Sequence, residues 1–447
     1  MGSFFSKAGR QPSSAMAAWC IFSHSLHSQR SPRGVTHSFM AGPPFFAGNL
    51  EPSDLAFRAG KSSSCRIAEF FVRHKAGELG RLFFAAPAGG EWPGFGRKGE
   101  KKAMHNERLP WAAGVSPLML APMQGLTNRA LRGLFIQRVR PDVVFSEFVR
   151  VKSSVRKNIS ASDRLEVASA ESGVPLVVQL IGSDLAALAS AAATVRELGA
   201  RHLNINLGCP FGRMGNNAAG GGLLRRPEEV AAILATLRRA TPGSFSVKTR
   251  AGFDDPGQLF ALLDLFAEAG VDFLVLHART VRQRYSGGAD HRLTAEVVRR
   301  TALPVIANGD IFTAAQGRRV LAETGAAGLM LGRGAIVDPL LFSRLRGERP
   351  EASGPDEKEA ALRDYLRELL ARYRQLFCGD HQILCKMKEV LCHLHDPDLA
   401  ETARRLKRSK NLALFAELLE APGSVPPGEA APEGKLPALE KMDNRVG

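Results

Sequence analysis

At 447 residues, 45% hydrophobic and 23% charged, the chain has the composition of a globular protein of two or three domains with a large core. No apolar run approaches the ~18 residues of a membrane helix. No charged segment followed by an apolar stretch and a small-residue cleavage site opens the chain, which argues against secretion. The formal net charge of +16 points to a polyanionic partner such as nucleic acid.

Residues 1–103 carry 14 Lys/Arg against 6 Asp/Glu, a net of +8, so the longer remainder holds the other +8 and is moderately basic. Twelve of the 25 Phe fall in this first stretch, among Ser, Gly, Pro and Arg, with neither strand nor helix periodicity. We therefore expect residues 1–107 to be an irregular extension. Three readings stay open: a disordered segment, a targeting extension, or a stretch outside the natural protein with synthesis starting at Met104. The third is favoured, because orderly patterning begins just after that methionine.

From Ser116 the pattern becomes regular. Short apolar runs recur at Leu118–Ala121, Val143–Phe145, Leu176–Leu180, Leu203–Asn206, Phe245–Thr249, Phe273–His277, Val305–Ala307 and Gly328–Leu331. Amphipathic stretches lie between them, among them Leu185–Leu198, Glu228–Arg239, Leu259–Ala269 and Ala314–Glu323. Gly199, Gly270 and Gly325 follow such stretches, as helix stops do. Apolar strands alternating with helices predict right-handed β-α-β units on a parallel sheet. Eight of them over roughly 230 residues predict a (β/α)8 TIM barrel, placed at 114–348. A doubly wound sheet would place G-x-G-x-x-G after its first strand, and Pro122-Met123-Gln124-Gly125 is not that loop.

In such a barrel the chemistry gathers where strands end. The ends carry Gln124, Glu147, Gln179, Asn206 with Cys209, Lys248 with Arg250, His277 with Arg279, Asn308-Gly309-Asp310, and Gly332-Arg333. The last two offer backbone N–H groups and a guanidinium, which suits a phosphorylated cofactor or substrate. Each member also has a plainer reading. Cys209 alone is either a buried structural thiol or a reactive group in a loop of small residues. His277 alone could be a satisfied core histidine, Arg250 and Glu147 an internal ion pair, and Gly220-Gly221-Gly222 a flexible loop. Lys248 inside an apolar strand needs a partner. Eight consecutive polar strand ends favour a site over any of these single readings.

The motifs Leu120-Ala121-Pro122-Met123-Gln124-Gly125, Val178-Gln179-Leu180, Asn206-Leu207-Gly208-Cys209-Pro210, Val247-Lys248-Thr249-Arg250, His277-Ala278-Arg279-Thr280, Ala307-Asn308-Gly309-Asp310 and Gly332-Arg333-Gly334 stand in one order over about 116–420. In this set the chain resembles the tRNA-dihydrouridine synthases, most of all the bacterial C type, which acts on uridine 16 of tRNA. The resemblance implies an FMN enzyme that uses NADPH. It implies Cys209 as proton donor to C5 of a uracil and Asn206 as a positioner of that base. Pro122, Met123, Gln124, Gln179, Lys248, His277, Asn308, Gly309, Asp310, Gly332 and Arg333 would then surround FMN. Phe211, Met214 and His291 depart from the family pattern.

After the linker-like Pro350–Pro355 the chain turns helical, with stretches at Lys358–Phe377, Gln382–His395 and Leu399–Leu419. We expect residues 356–420 to form a small helical bundle, read with the resemblance as tRNA-binding. Lys386 and Lys388 would touch the RNA backbone, and Arg279, Arg282 and Arg284 beside strand 6 are further candidates. Residues 421–447, rich in Pro, Gly and Glu, are expected to be disordered. Cys20, Cys65, Cys209, Cys378, Cys385 and Cys392 contain no C-x-x-C pair, and reduced thiols of a cytosol fit them. The seven-residue spacing of the last three predicts small core residues on one helix face, and no metal site. No obligate protein partner is expected. The competing functions are an FMN barrel acting on a free small molecule such as dihydroorotate, and a non-catalytic tRNA-binding barrel.

Overall fold

The computed structural model describes the strands at 55–59, 67–73 and 79–85, together with residues 108–153, 158–168, 173–210, 219–351 and 354–421. Expectations about Met104, Cys20, Cys65, Phe211, Met214 and the tail at 422–447 lie outside the described residues. The chain divides into two compact units, residues 1–95 and 96–447. In the first, Leu55–Ala59, Ile67–Arg73 and Leu79–Ala85 form a three-stranded antiparallel sheet. The sequence reading assigned no element there.

The second unit is a closed parallel barrel. Its strands are β1 (Leu118–Leu120), β2 (Val143–Phe145), β3 (Leu176–Ile181), β4 (His202–Leu207), β5 (Ser244–Arg250), β6 (Phe273–His277), β7 (Val305–Asn308) and β8 (Gly328–Leu331). Each pairs with its neighbour in sequence, β8 pairs with β1, and β2 with β3 completes the ring. All eight match the apolar runs. A short ninth strand, Val149–Arg150, pairs with the end of β3.

Helices α1 (Arg129–Val139), α2 (Ala161–Ala168), α3 (Leu185–Glu197), α4 (Pro227–Ala240), α5 (Gly257–Phe260), α6 (Leu263–Glu268), α7 (His291–Arg300) and α8 (Ala314–Thr324) run between the strands. Their starts follow from local chemistry. Asn128 caps α1 by accepting from Leu131 N at 3.2 Å, Asp184 caps α3 from Ala187 N at 2.8 Å, and Thr313 with Gln316 forms a capping box on α8. The single helix expected at Leu259–Ala269 is two, α5 and α6.

Side chains alternate in and out along each strand, so residues two apart share the interior. Met119, Val143, Phe145, Val177, Phe273, Val275, Ile306 and Met330 fill it, each fully buried. Trp111, from the segment before β1, closes one end edge-on to Phe273, with ring centroids 5.0 Å apart. Burying each large apolar side chain contributes about 1.5–3 kcal/mol. One step further along the strands the interior turns polar: Gln179 follows Val177, His277 follows Val275 and Asn308 follows Ile306. The candidate site residues therefore form the next rung of the packed barrel.

Short helices α9 (Arg333–Val337) and α10 (Leu341–Leu345) lead to α11 (Pro355–Leu376), α12 (Asp380–Leu391), α13 (Ala400–Arg408) and α14 (Leu412–Glu420). These four do not hold a core of their own. Leu362, Tyr365, Leu366, Leu369 and Tyr373 of α11 join Leu131, Leu134 and Phe135 of α1 in one continuous apolar cluster that also includes α12 and α14. Tyr365 meets Phe135 edge-on at 6.3 Å. At the rim of this contact Arg138 bonds Asp364 and Glu368, both at 2.7 Å.

Candidate active site

A chain of side-chain amides crosses the polar rung. Asn206 Nδ2 donates to Gln179 Oε1 at 2.9 Å, Gln179 Nε2 donates to Asn204 Oδ1 at 2.8 Å, and Asn204 Nδ2 donates to Ser246 Oγ at 2.8 Å. Gln179 is fully buried and its amide is bound from both sides. On the far wall Lys248 Nζ donates to Asn308 Oδ1 at 3.1 Å, and Asn308 Nδ2 donates to the Met330 carbonyl at 2.8 Å. Register places Asn206 beside Lys248, and His277 beside both Arg250 and Asn308. One mouth therefore gathers Gln179, Asn206, Lys248, His277 and Asn308.

The loop bearing Cys209 is pinned from three directions. Asn206 Oδ1 accepts from Gly208 N at 3.0 Å and from Cys209 N at 2.9 Å. Arg250 Nε donates to the Gly208 carbonyl at 2.9 Å. Gly221 N donates to the Cys209 carbonyl at 3.1 Å. The Asn206 side chain thus orients the thiol loop through the backbone. The triple glycine is not a loose loop: it opens a 3-10 turn, Gly220–Arg225, and all three glycines are buried. A Cβ on Gly221 would lie 2.5 Å from Val281 Cγ2 and 3.1 Å from the Cys209 carbonyl oxygen.

The Arg250–Glu147 ion pair considered from the sequence is replaced by two separate arrangements. Arg250 also donates to the Thr280 and Arg284 carbonyls, and its guanidinium lies 5.4 Å from the Tyr285 ring centre. Glu147 Oε2 instead accepts from Gly125 N at 2.9 Å, while Oε1 is buried without a hydrogen-bond partner. Burial pushes the Glu147 carboxyl up to about 7. Arg250 stands among the strand-end candidates of the sequence, but its role of pinning the thiol loop does not follow from it. Its acceptors are main-chain carbonyls, which no residue type advertises.

The mouth is rich in positive charge. Asp310 accepts from Arg279 at 2.5 and 3.0 Å, from Arg333 at 3.1 Å and from Ala289 N at 2.8 Å, and its carboxyl ends below its ordinary value although burial opposes this. Among the described residues Lys248 and Arg250 have no such carboxylate; the bonds described above run to uncharged oxygens. Burial, and then the charge on Arg250, lower the Lys248 ammonium to about 7. Burial and the surrounding cations hold His277 well below its usual value, so its ring is neutral. Arg279 Nη1 lies 3.3 Å from His277 Nε2, so Nε2 accepts and Nδ1 carries the proton. Cations held beside uncharged oxygens form a receptor for an anion.

The rim completes the pocket. Pro122 and Met123 are half-buried and Gln124 is exposed. Met123 N donates to Thr127 Oγ1 at 2.8 Å, and a Cβ on Gly332 would sit 3.6 Å from Met123 Sδ, so the β1 and β8 loops adjoin. The Gly309 carbonyl accepts from His291 Nε2 at 2.9 Å. His291, a departure from the resemblance, thus steers the phosphate-like loop by hydrogen bonding. Tyr285, 47% exposed, lies across the mouth 4.9 Å from the Arg333 guanidinium and 6.3 Å from the His277 ring.

Of the residues read as substrate contacts, Arg279 is buried in the Asp310 pair, whereas Arg282 and Arg284 are exposed. Lys386 and Lys388 are half-buried and bound internally. Lys386 Nζ donates to the Gly125 carbonyl at 2.9 Å and Glu389 at 2.8 Å, and Lys388 Nζ donates to the Ser409 carbonyl at 2.6 Å. Cys378, Cys385 and Cys392 are exposed, against the expectation of core residues. Helix α11 ends at Leu376 and α12 starts at Asp380, which breaks the seven-residue phase, and α12 buries Ile383, Leu384, Met387, Val390 and Leu391 instead. Among the described residues no group of three or more His, Cys, Asp or Glu is placed to hold a metal.

The family described as "Dihydrouridine synthase (Dus)" matches residues 119–411. A "tRNA-dihydrouridine(16) synthase" of Cupriavidus necator is 34% identical over 330 residues, 71% of this chain and 100% of that protein. A "tRNA-dihydrouridine synthase B" of Pseudomonas aeruginosa is 36% identical over 269 residues, 59% of this chain and 79% of the relative. A "Probable tRNA-dihydrouridine synthase" of Rhodobacter capsulatus is 37% identical over 277 residues, covering 59% and 85%.

Proposed function

The chain belongs to the dihydrouridine synthase family, and from that premise we infer that it is a flavin-dependent oxidoreductase reducing a uridine of tRNA to 5,6-dihydrouridine. The observation that carries this reading is the meeting, in one mouth, of a pinned cysteine loop and cations that, among the described residues, outnumber the carboxylates beside them. That receptor fits FMN, an anion with a flat polar ring. Backbone N–H groups of Gly309, Asp310 and Gly332, with the Arg333 guanidinium, would hold its phosphate end, and Pro122, Met123, Gln124, Gln179, Lys248, His277 and Asn308 would surround its ring. We further propose NADPH as the reductant, a cytoplasmic setting, and uridine 16 of the D-loop as the target. The full-length match to the Cupriavidus necator protein supports the last point.

The chemistry that FMN would supply when held there and reduced is a hydride for C6 of the uracil. Negative charge then builds on C5 and the C4 carbonyl, and the Cys209 thiol gives its proton to C5. Asn206, Arg250 and Gly221 hold the backbone on either side of that thiol, so the proton is delivered from a fixed position. The base must leave its stack to enter the mouth, as for other enzymes that work on a base edge. Arg282 and Arg284 at the rim, with Arg404, Arg408 and Lys410 exposed around α13, are proposed to meet the RNA backbone. An ammonium has three protons, so Lys388 keeps two for a phosphate after bonding Ser409.

Nucleoside analysis of tRNA incubated with the protein, FMN and NADPH tests the reading. Dihydrouridine should accumulate with the wild type, and Cys209→Ala should slow it by about 10²–10⁴-fold while keeping the flavin spectrum. Turnover of dihydroorotate with unmodified tRNA would select the small-molecule alternative instead. A free pyrimidine has no use for the basic helices.

A further inference from the structure

The β1 loop that carries Pro122, Met123 and Gln124 is gripped at one peptide from two sides. At Gly125 the N–H points to Glu147 Oε2 at 2.9 Å, from the segment after β2. Its carbonyl takes the Lys386 ammonium at 2.9 Å, from α12 of the helical part. Lys386 is itself fixed by Glu389 at 2.8 Å. A Cβ on Gly125 would fall 2.9 Å from Glu389 Oε1 and 3.3 Å from Lys386 Nζ, and the residue has φ +84°. The two side-chain ends could swing aside from a Cβ, but only by giving up these bonds, and the positive φ favours glycine.

These contacts connect the two functional parts. The loop would line the flavin, and α12 belongs to the part that would meet RNA. We propose that Lys386 is a positioning residue for the flavin pocket: through Gly125 it locks the β1 loop in its flavin-binding conformation, so that an intact helical part preorganises the cofactor site. The proposal rests on the flavin reading above. It gives Lys386 a task that a surface lysine waiting for RNA does not have. Without the ammonium, the Gly125 carbonyl loses its charged donor and the loop gains freedom that flavin binding must then remove.

The test measures flavin affinity in the absence of tRNA, by quenching of flavin fluorescence, for the full-length wild type, Lys386→Met and Lys386→Arg. Thermal unfolding of each protein serves as a check on folding. We expect Lys386→Met to raise the dissociation constant about tenfold, the size of one lost hydrogen bond to a charged group, and Lys386→Arg to restore most of it. Amide hydrogen exchange in residues 122–126 should rise in Lys386→Met and return to the wild-type level in Lys386→Arg. If Lys386→Met does not fold, Glu389→Ala takes its place, with an expected rise of about threefold. Flavin affinity and loop exchange unchanged in a folded variant would overturn the proposal. A wild type that binds no flavin would instead overturn the flavin reading itself, so the two failures are distinguishable.

Discussion

Lys248 places a titrating charge near neutrality on the wall of the mouth. The sign of its effect follows from the depressed value. The unfolded chain holds the extra proton between about 7 and 10.5, so the empty protein gains stability as pH rises through that window. Ligand binding runs the other way. A hydrogen-bond acceptor of the flavin ring beside Lys248 favours the ammonium, so binding above pH 7 takes up a proton. Flavin affinity should therefore fall as pH rises above about 7, by at most about tenfold per unit. Lys248→Met should give a weaker profile without that fall, and fluorescence titrations between about pH 6 and 9 would show the difference. Lys248 and Cys209 stand out in the sequence as candidate site residues because each is chemically out of place, one in an apolar strand and the other between Gly208 and Pro210. The partners of Arg250 do not stand out, since they are the carbonyls of Gly208, Thr280 and Arg284, residues remote in sequence.

Strands and their polar ends were readable for a related reason. A parallel barrel strand is covered on both faces, so it reads as one apolar run, and the first polar residue marks the mouth. The 3-10 turn after β4 was less readable, because a run of glycines looks the same whether it is slack or tightly packed. The packing is measurable. Gly221→Ala would drive a methyl group into Val281 Cγ2, a β-branched side chain that is itself 95% covered. We expect a loss of about 1–3 kcal/mol in stability, read from the urea midpoint, with the Cys209 loop displaced. Dihydrouridine formation should fall much more than flavin affinity, since the turn touches the thiol loop and not the Asp310 side of the mouth.

For the whole molecule, the helices of the carboxy-terminal part were legible as amphipathic stretches, but their attachment was not. A sequence pattern gives each helix an apolar face without saying which surface covers it. Here Tyr365, Leu366 and Leu369 cover α1 of the barrel. A chain ended at residue 351 should therefore expose that face and aggregate on size-exclusion chromatography, and the second unit, when intact, should unfold in one transition. Those outcomes would separate a shared core from two independently folding parts, which should yield a soluble barrel and two transitions.

The shared core also bears on how such an enzyme could change its target. The angle between the basic helices and the mouth is set by side-chain volume at Phe135, Tyr365 and their neighbours, all far from solvent. A linker cannot act as a hinge when the parts it joins are packed as one solid. If those helices orient the tRNA as proposed above, tilting them toward another nucleotide would require repacking buried methyl and ring groups. In this reading the choice of uridine is stored as buried volume and expressed as a tilt.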